Sequence, residues 1–359
     1  MAPKREFSAP APSGPASAQG NVMASHWKSY LAAAALGVAM SASSAQAADK
    51  LLVYVSPDAI GVNAFLKMGQ TGIEAAGKKF GADVKTYESK TAAERLENVN
   101  AAINEGANVV VVLGFEFNDI IAQVAPTAPD IDFLIVDQCI DNRPANVHCA
   151  VFREYEASYL MGVAAGMLTE SNKVGVVGAL DIPFLHRYTD GYALGVKSVK
   201  PDASVDVRWV GGENPFADPV RAKEQAVAMN AAGADYIYTA TAGGDFGVFE
   251  AAKEKNFKVF SVDVNHCPDA PGLIVDQSLK HVDIALETAV GAILDGQDSV
   301  FMALGIKEGG VGAIALDEAT IADSKCLIAD HPDVAAKMRE VAASIADGSL
   351  KLEDPMFAK

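Results

Sequence analysis

Basic residues are scarce. Lysine and arginine number 29 against 46 aspartates and glutamates, a formal net charge of -17. That balance argues against a surface built for nucleic acid or an anionic membrane, and it favours solubility. Cysteine is scarcer still: Cys139, Cys149, Cys267 and Cys326 are the only four. None forms a C-x-x-C pair, so the usual spacing of a zinc site is missing. No G-x-G-x-x-G follows a β-branched run, which removes the fingerprint of a dinucleotide site. H-E-x-x-H and G-x-S-x-G are absent as well. The segment from Gly72 to Lys79 nearly matches a phosphate-binding loop. It ends in Lys79 where Ser or Thr must hold magnesium, and it lies within a helical pattern rather than at a strand-to-helix turn. His148, His186, His266, His281 and His331 are scattered without ligand-like spacing.

Long apolar runs are lacking too. The most apolar early stretch, Tyr30 to Met40, is about half the roughly 20 residues needed to span a bilayer. It follows Lys28 and is followed by small residues and Ala45-Gln46-Ala47. A basic flank, a short apolar core and an A-x-A end are the parts of a secretory signal peptide, with cleavage expected after Ala47. No cysteine follows that point directly, so no lipid anchor is expected there. Residues 1 to 22, rich in Pro, Ala, Ser and Gly, have the composition of a disordered leader, and Met23 is an alternative start. Without residues 1 to 47 the chain carries 26 basic and 45 acidic residues, a net charge of -19. An even cysteine count in an exported chain points to disulfides. Of three pairings, Cys139 with Cys149 and Cys267 with Cys326 is expected, because the first pair closes a short loop.

The mature chain is long enough for two domains. Short β-branched runs alternate with longer helical patterns, which predicts parallel sheets covered by helices. Strands are read at Leu51 to Val55, Val109 to Leu113, Phe133 to Val136, Val174 to Val177, Tyr236 to Thr239, Val259 to Val262 and Leu273 to Val275. Helices are read at Asn63 to Phe80, Ala92 to Glu105, Glu156 to Leu168, Pro219 to Ala232, Gly247 to Lys255 and Val282 to Leu294. Polar and glycine residues gather just after the strands: Ser56 to Asn63, Gly114 to Asn118, Asp137-Gln138, Asp181 to Phe184, Gly243 to Phe246 and Asp263 to His266. Ligands of open parallel sheets bind outside the carboxyl ends of the strands, where helix N-termini also begin. An aromatic near a carboxylate or amide suits a flat polar ligand, stacking on its face and bonding its edge. Any single aspartate of this set is explained equally well as a helix cap. Lys280, at a strand-to-helix junction, is placed to hydrogen-bond ligand hydroxyls.

Several longer segments resemble the basic membrane protein family of ABC-transporter substrate-binding proteins, whose characterised type is a purine nucleoside receptor. They are Tyr159 to Gly166, Lys173 to Gly178, Asp181 to Phe184, Gly191 to Val196, Gly243-Gly244 with Gly247 to Ala252, Val262-Asp263, and Ser278 to Asp283. The resemblance implies an α/β, type I periplasmic-binding-protein fold, two Rossmann-like lobes joined by three crossovers. The division expected is residues 48-152 plus 278-300 in one lobe and 153-277 plus 301-359 in the other, after a leader of 1-47. Carried over from the family, Asn63 and Asp137 correspond to base-recognising residues and Phe115 and Phe184 to the stacking pair. Gly243, Asp263 and Lys280 correspond to the ribose side. Two positions depart from the family: Val62 stands where a Phe is usual, and Lys67 where a Trp is usual.

These readings together predict a periplasmic, monomeric binding protein, not an enzyme, with no cofactor, no metal and no nucleic-acid partner. It would capture a purine nucleoside or nucleobase and pass it to an ABC permease and ATPase. The alternatives are a nucleoside hydrolase using Asp58, Asp137 or Asp263 as acid or base, and a loaded partner of a chemoreceptor.

Overall fold

The computed structural model describes residues 50–357; the predicted signal segment lies outside them. The first half of the chain runs β1 (Leu51–Ser56), α1 (Ala64–Phe80), β2 (Asp83–Glu88), α2 (Ala92–Asn104), β3 (Val109–Leu113), α3 (Asn118–Val124), β4 (Asp132–Val136) and β5 (Val147–Phe152). It continues with α4 (Glu154–Leu168), β6 (Lys173–Gly178), α5 (His186–Val199), β7 (Ser204–Trp209), α6 (Pro219–Ala231), β8 (Tyr236–Ala240), α7 (Asp245–Lys255), β9 (Lys258–Asp263) and β10 (Ile274–Lys280). Last come α8 (Val282–Leu294), β11 (Phe301–Leu304), β12 (Val311–Ala313), α9 (Glu318–Ser324) and α10 (Pro332–Ala346).

The strands form two six-stranded sheets, ordered β11-β5-β4-β3-β1-β2 and β12-β10-β9-β8-β6-β7. All neighbours are parallel except β10 and β12. The first sheet is buried on both faces. Leu52, Tyr54, Val109, Val111 and Leu113 enter one core, and Val53, Val55, Val110 and Val112 the other. This is why those strands read as unbroken apolar runs rather than as alternating ones. The chain passes between the lobes three times: at Arg153 between β5 and α4, at His281 between β10 and α8, and through residues 305–310 between β11 and β12. The sheets, their parallel order and the three crossovers make this a type I periplasmic-binding fold.

Five strands escaped the sequence reading. β2 and β7 are edge strands with half-exposed residues, β11 and β12 are short, and β5 carries His148 and Cys149 within its buried run. β10 runs on through buried Asp276, Gln277, Ser278 and Lys280, polar residues that a hydrophobic pattern cannot register. α5 was not read as a helix. β11 pairs with β5, so Phe301–Leu304 belongs to the first sheet, whereas the sequence division ended that lobe at residue 300; Ser278–Lys280, assigned by that division to the first lobe, pair with β9 and β12 in the second sheet. Cys139 bonds to Cys149 and Cys267 to Cys326, with Cα separations of 5.5 and 5.1 Å. No helix among the described residues is long and apolar enough to cross a membrane.

The family-like segments Tyr159 to Gly166 and Gly191 to Val196 are the crossing of α4 and α5. A Cβ on Gly162 would sit 2.0 Å from the Tyr192 carbonyl oxygen, and one on Gly195 2.1 Å from that of Tyr159. Backbone meets backbone at this crossing, which only glycine permits.

Candidate functional site

The carboxyl ends of β1, β3 and β4 face those of β6, β8, β9 and β10 across a cavity of about 720 Å³, a size usual for small-ligand sites. Asn63, Phe115 and Asp137 line it from the first lobe, and Phe184, Gly243, Asp263 and Lys280 from the second. All seven sequence-chosen residues thus reach one hollow. Asp58, the other carboxylate considered for acid–base work, lines it too, whereas His266 and His281 do not.

Local chain geometry sets each position. Asn63 caps α1: its Oδ1 accepts from the Leu66 N–H at 3.2 Å, and its carboxamide nitrogen donates to no described protein group. Asp137 and Asp263 end their strands with φ of 84° and 71°, and Ala242 beside Gly243 has φ 53°. A non-glycine residue held there stores about 1–3 kcal/mol of strain, and such strain concentrates at functional sites. Neither aspartate caps a helix. The plain structural role falls to Asp245, whose buried Oδ1 accepts from the Thr239 hydroxyl at 2.8 Å and from the Thr241 N–H and hydroxyl at 2.9 and 2.6 Å. A Cβ on Gly243 would lie 3.1 Å from the Phe216 carbonyl oxygen, so glycine there lets the segment before α6 settle against the site.

Lys280 forms the floor. Its ammonium, fully buried, pairs with Asp137 and, at 2.9 Å, with Glu154, and it donates to the Tyr188 hydroxyl at 3.2 Å. It also lies 5.1 Å from the ring centres of Phe65 and Phe152 and 5.6 Å from that of Phe184, within reach of cation–π attraction. Burial opposes the charge, but Asp137, Glu154 and Asp263 outweigh it and raise the lysine's pKa. The same burial raises Glu154, against the pull of Lys280, and lifts Asp263 from 3.8 to about 6. Behind the floor Arg187 holds Glu154 at 3.2 Å and Asp354 at 2.6 Å, so the charge chain runs from the cleft to the C-terminal segment. Asp137 and Lys280, matched by family resemblance to opposite ends of a ligand, touch each other. Lys280 meets Asp137 through Oδ1, and among the described residues no donor is assigned to Oδ2, which leaves it for a ligand N–H.

Sequence reasoning missed Phe65, Glu154, Tyr188 and Phe216. Glu154 follows β5, a strand the sequence did not declare, and Phe65 and Tyr188 lie within the first turns of helices, so no local pattern separates them from core residues. Lys67, at the family's Trp position, is exposed and off the cavity, and Val62 lines the rim at 71% exposure. Phe65, three residues beyond Val62, brings a ring to the cavity wall instead.

Two doubly wound lobes, hinged by three crossovers around an aromatic cleft floored by ion pairs, define a solute-binding protein that encloses a small molecule. Known proteins agree. The family described as ABC transporter substrate-binding protein PnrA-like matches residues 50–337, and the chain belongs to it. The chain is 30% identical over 295 residues to the ABC transporter nucleoside-binding protein BmpA of Lactococcus lactis, covering 75% of this chain and 83% of that one. It is 25% identical over 257 residues to basic membrane protein A of Borreliella burgdorferi, covering 70% and 75%. A solved ABC transporter solute-binding protein from Aeropyrum pernix superposes with a TM-score of 0.74 at 24% identity, over 85% of this chain and 94% of that one. Members of this class take up a small molecule outside the cytoplasmic membrane and present it to a transporter.

Proposed function

We propose that this protein binds a purine nucleoside, or a related purine-like solute, in the inter-lobe cleft and delivers it to an ABC permease and its ATPase. The observation that carries the reading is the single cavity to which Asn63, Asp137, Phe184, Asp263 and Lys280 all contribute. The nucleoside-binding name of the Lactococcus relative supports it. In this reading Asn63 and the free oxygen of Asp137 meet the base edge, Phe115 and Phe184 its faces, and Asp263, Lys280 and the backbone at Gly243 the ribose. No bond is made or broken, and lobe closure is driven by the ligand's preference for the closed state. The mature monomer works in the periplasm after cleavage at Ala47, without a lipid anchor; N-terminal sequencing of the protein recovered from its own cells tests this.

Adenosine, guanosine or inosine at 100 times its Kd stabilises the protein by about 2.7 kcal/mol, a rise in Tm of about 4 °C for a chain of this size. A panel of purine nucleosides and free bases that all leave Tm unchanged sinks the ligand assignment. Release of free base from inosine on incubation would favour the hydrolase instead.

Binding is also expected to release a proton near pH 6. Asp263 titrates at about 6 in the folded protein and at 3.8 when unperturbed, chiefly through burial. Its folded-state proton therefore favours the native state at low pH, and that contribution declines as pH rises from about 4 to 6. A ribose hydroxyl donating to the carboxylate favours its ionised form, so affinity falls below pH 6 by up to about tenfold per pH unit. Calorimetry in two buffers of different ionisation enthalpy reads the proton directly. Affinity constant from pH 5 to 7.5 removes Asp263 from the contact.

A further inference from the structure

Phe184 and Tyr188 are carried into the cleft by the turn Pro183–Leu185 and the first turn of α5. Their rings meet edge-on with centroids 6.1 Å apart, and the Tyr188 hydroxyl accepts from Lys280 at 3.2 Å. Midway between them in the chain stands His186, which does not line the cavity and whose side chain is 34% exposed. Its two ring nitrogens face two different carboxylates. Nε2 lies 3.0 Å from Asp181 Oδ1, in the loop after β6, and Nδ1 lies 3.1 Å from Asp190 Oδ2, one turn further along α5. The Thr189 hydroxyl donates to the other oxygen of Asp190 at 3.1 Å and so steadies it. Trp209, at the end of β7, walls a third side with its ring centroid 5.5 Å from the imidazole. That indole is itself seated on Gly178, where a Cβ would fall 2.2 Å from the ring. The contacts staple residues 181–190 together, with the aromatic groups toward the cleft and the histidine toward water.

The staple demands a particular protonation state. A carboxylate only accepts hydrogen bonds, and a neutral imidazole has one donor and one acceptor nitrogen. With a carboxylate oxygen at each nitrogen, both bonds form only when the ring carries two protons and a positive charge. Losing either proton sets a ring lone pair against a carboxylate. Partial burial opposes the charge, but the bonds to Asp181 and Asp190 and their charges outweigh it and raise the ring above its ordinary pKa. The charged groups that bear on the ring are Asp181 from the loop after β6 and Asp190 from α5, and Trp209 from β7 is uncharged. Arg187, the next residue, turns the other way to Glu154 and Asp354, and Arg208, beside Trp209, pairs with Asp206.

We propose that His186, as an imidazolium held between Asp181 and Asp190, is a positioning residue for ligand capture, fixing the turn that presents Phe184 and Tyr188 and making capture weaken in alkaline solution. The proposal rests on the purine reading for its ligand but not for its staple. The sign follows from the raised folded-state pKa. The staple is complete below the unfolded histidine value, about 6.5, and is lost as pH rises through the higher folded value. A cleft whose aromatic turn is ordered only part of the time binds more weakly in proportion to that fraction. This alkaline limb is separate from the acid limb of Asp263.

Adenosine, whose base does not ionise between pH 6.5 and 9, is the probe. Its affinity for the wild type is expected to fall by about 2- to 5-fold over that range, the worth of an exposed ion pair. His186→Gln, able to donate at one end only, should bind at the weakened level throughout and show no alkaline fall. His186→Arg, a permanent cation with donors for both carboxylates, should keep the tight binding to pH 9. Wild-type affinity that stays constant to pH 9, or an alkaline fall that persists in His186→Gln, overturns the proposal. Imidazole proton signals of the ligand-free protein read the ring directly. His186 should titrate above the ordinary histidine value, and closer to it in Asp190→Asn; a wild-type ring titrating at or below that value overturns the staple. Failure to bind any purine would sink the ligand assignment instead. Amide hydrogen exchange over residues 183–188 would still decide the staple: protection lost at pH 9 in the wild type but kept in His186→Arg supports it, and equal protection in both overturns it.

Discussion

Lys280→Met is expected to abolish ligand capture and to destabilise the folded protein by about 3–5 kcal/mol at neutral pH, the usual cost of breaking a buried ion pair from one side. Methionine keeps most of the length and apolar bulk of the side chain, so the box of Phe65, Phe152 and Phe184 stays filled. What is lost is the cation that balances Asp137 and Glu154 and lies near Asp263. Arg187 remains on Glu154 but is shared with Asp354. The bared carboxylates bind protons more tightly in the folded state than in the unfolded chain. The variant's deficit should therefore be smallest near pH 5 and grow as pH rises toward 7.5. Urea unfolding at the two pH values measures this, and adding Asp137→Asn to the variant should restore part of the loss. Wild-type stability at pH 7.5 would show that the lysine is not the electrostatic keystone of the floor.

Gly195→Ala is expected to cost about 3 kcal/mol or more, at or beyond the upper end of ordinary overpacking, because the added methyl meets a backbone carbonyl rather than a side chain able to turn away. Separation of α4 from α5 is the only relief. α5 begins beside Phe184 and carries Arg187 and Tyr188, so the cleft is disturbed with the helix pair, and ligand affinity falls alongside Tm. Gly312→Ala is the control: a Cβ there meets only the Leu316 Cδ1 at 3.8 Å, an ordinary contact, and the change is expected to stay below about 1 kcal/mol. Calorimetric Tm for both variants, with nucleoside titrations, separates the cases. A near-neutral Gly195→Ala would mean the crossing has slack that the geometry denies.

Legibility from sequence followed burial pattern. β1, β3, β4, β6, β8 and β9 are interior parallel strands whose apolar runs declare themselves, and the polar residues just after them fall at strand ends by necessity. That suffices to bring Asn63, Phe115, Asp137, Phe184, Gly243 and Asp263 to one rim. The edge strands β2 and β7 carry no such signal, since half of each faces water. β10 hides its last residues because Asp276, Gln277 and Lys280 are buried with polar partners rather than apolar ones.

The order of apolar runs and turn residues along the chain, read alone, already determined a parallel α/β architecture, the strand-end location of the site and the cysteine partners closest in sequence. Those are consequences of local periodicity and short-range chain reach. Only the folded molecule decided that Glu154 and Asp137 share one lysine, that Arg187 ties this cluster to Asp354, and that Phe216 faces Phe115. Each of these contacts joins residues far apart in the chain across a crossover or a cleft. Their energies depend on desolvation and distance, which no run of neighbouring residues encodes.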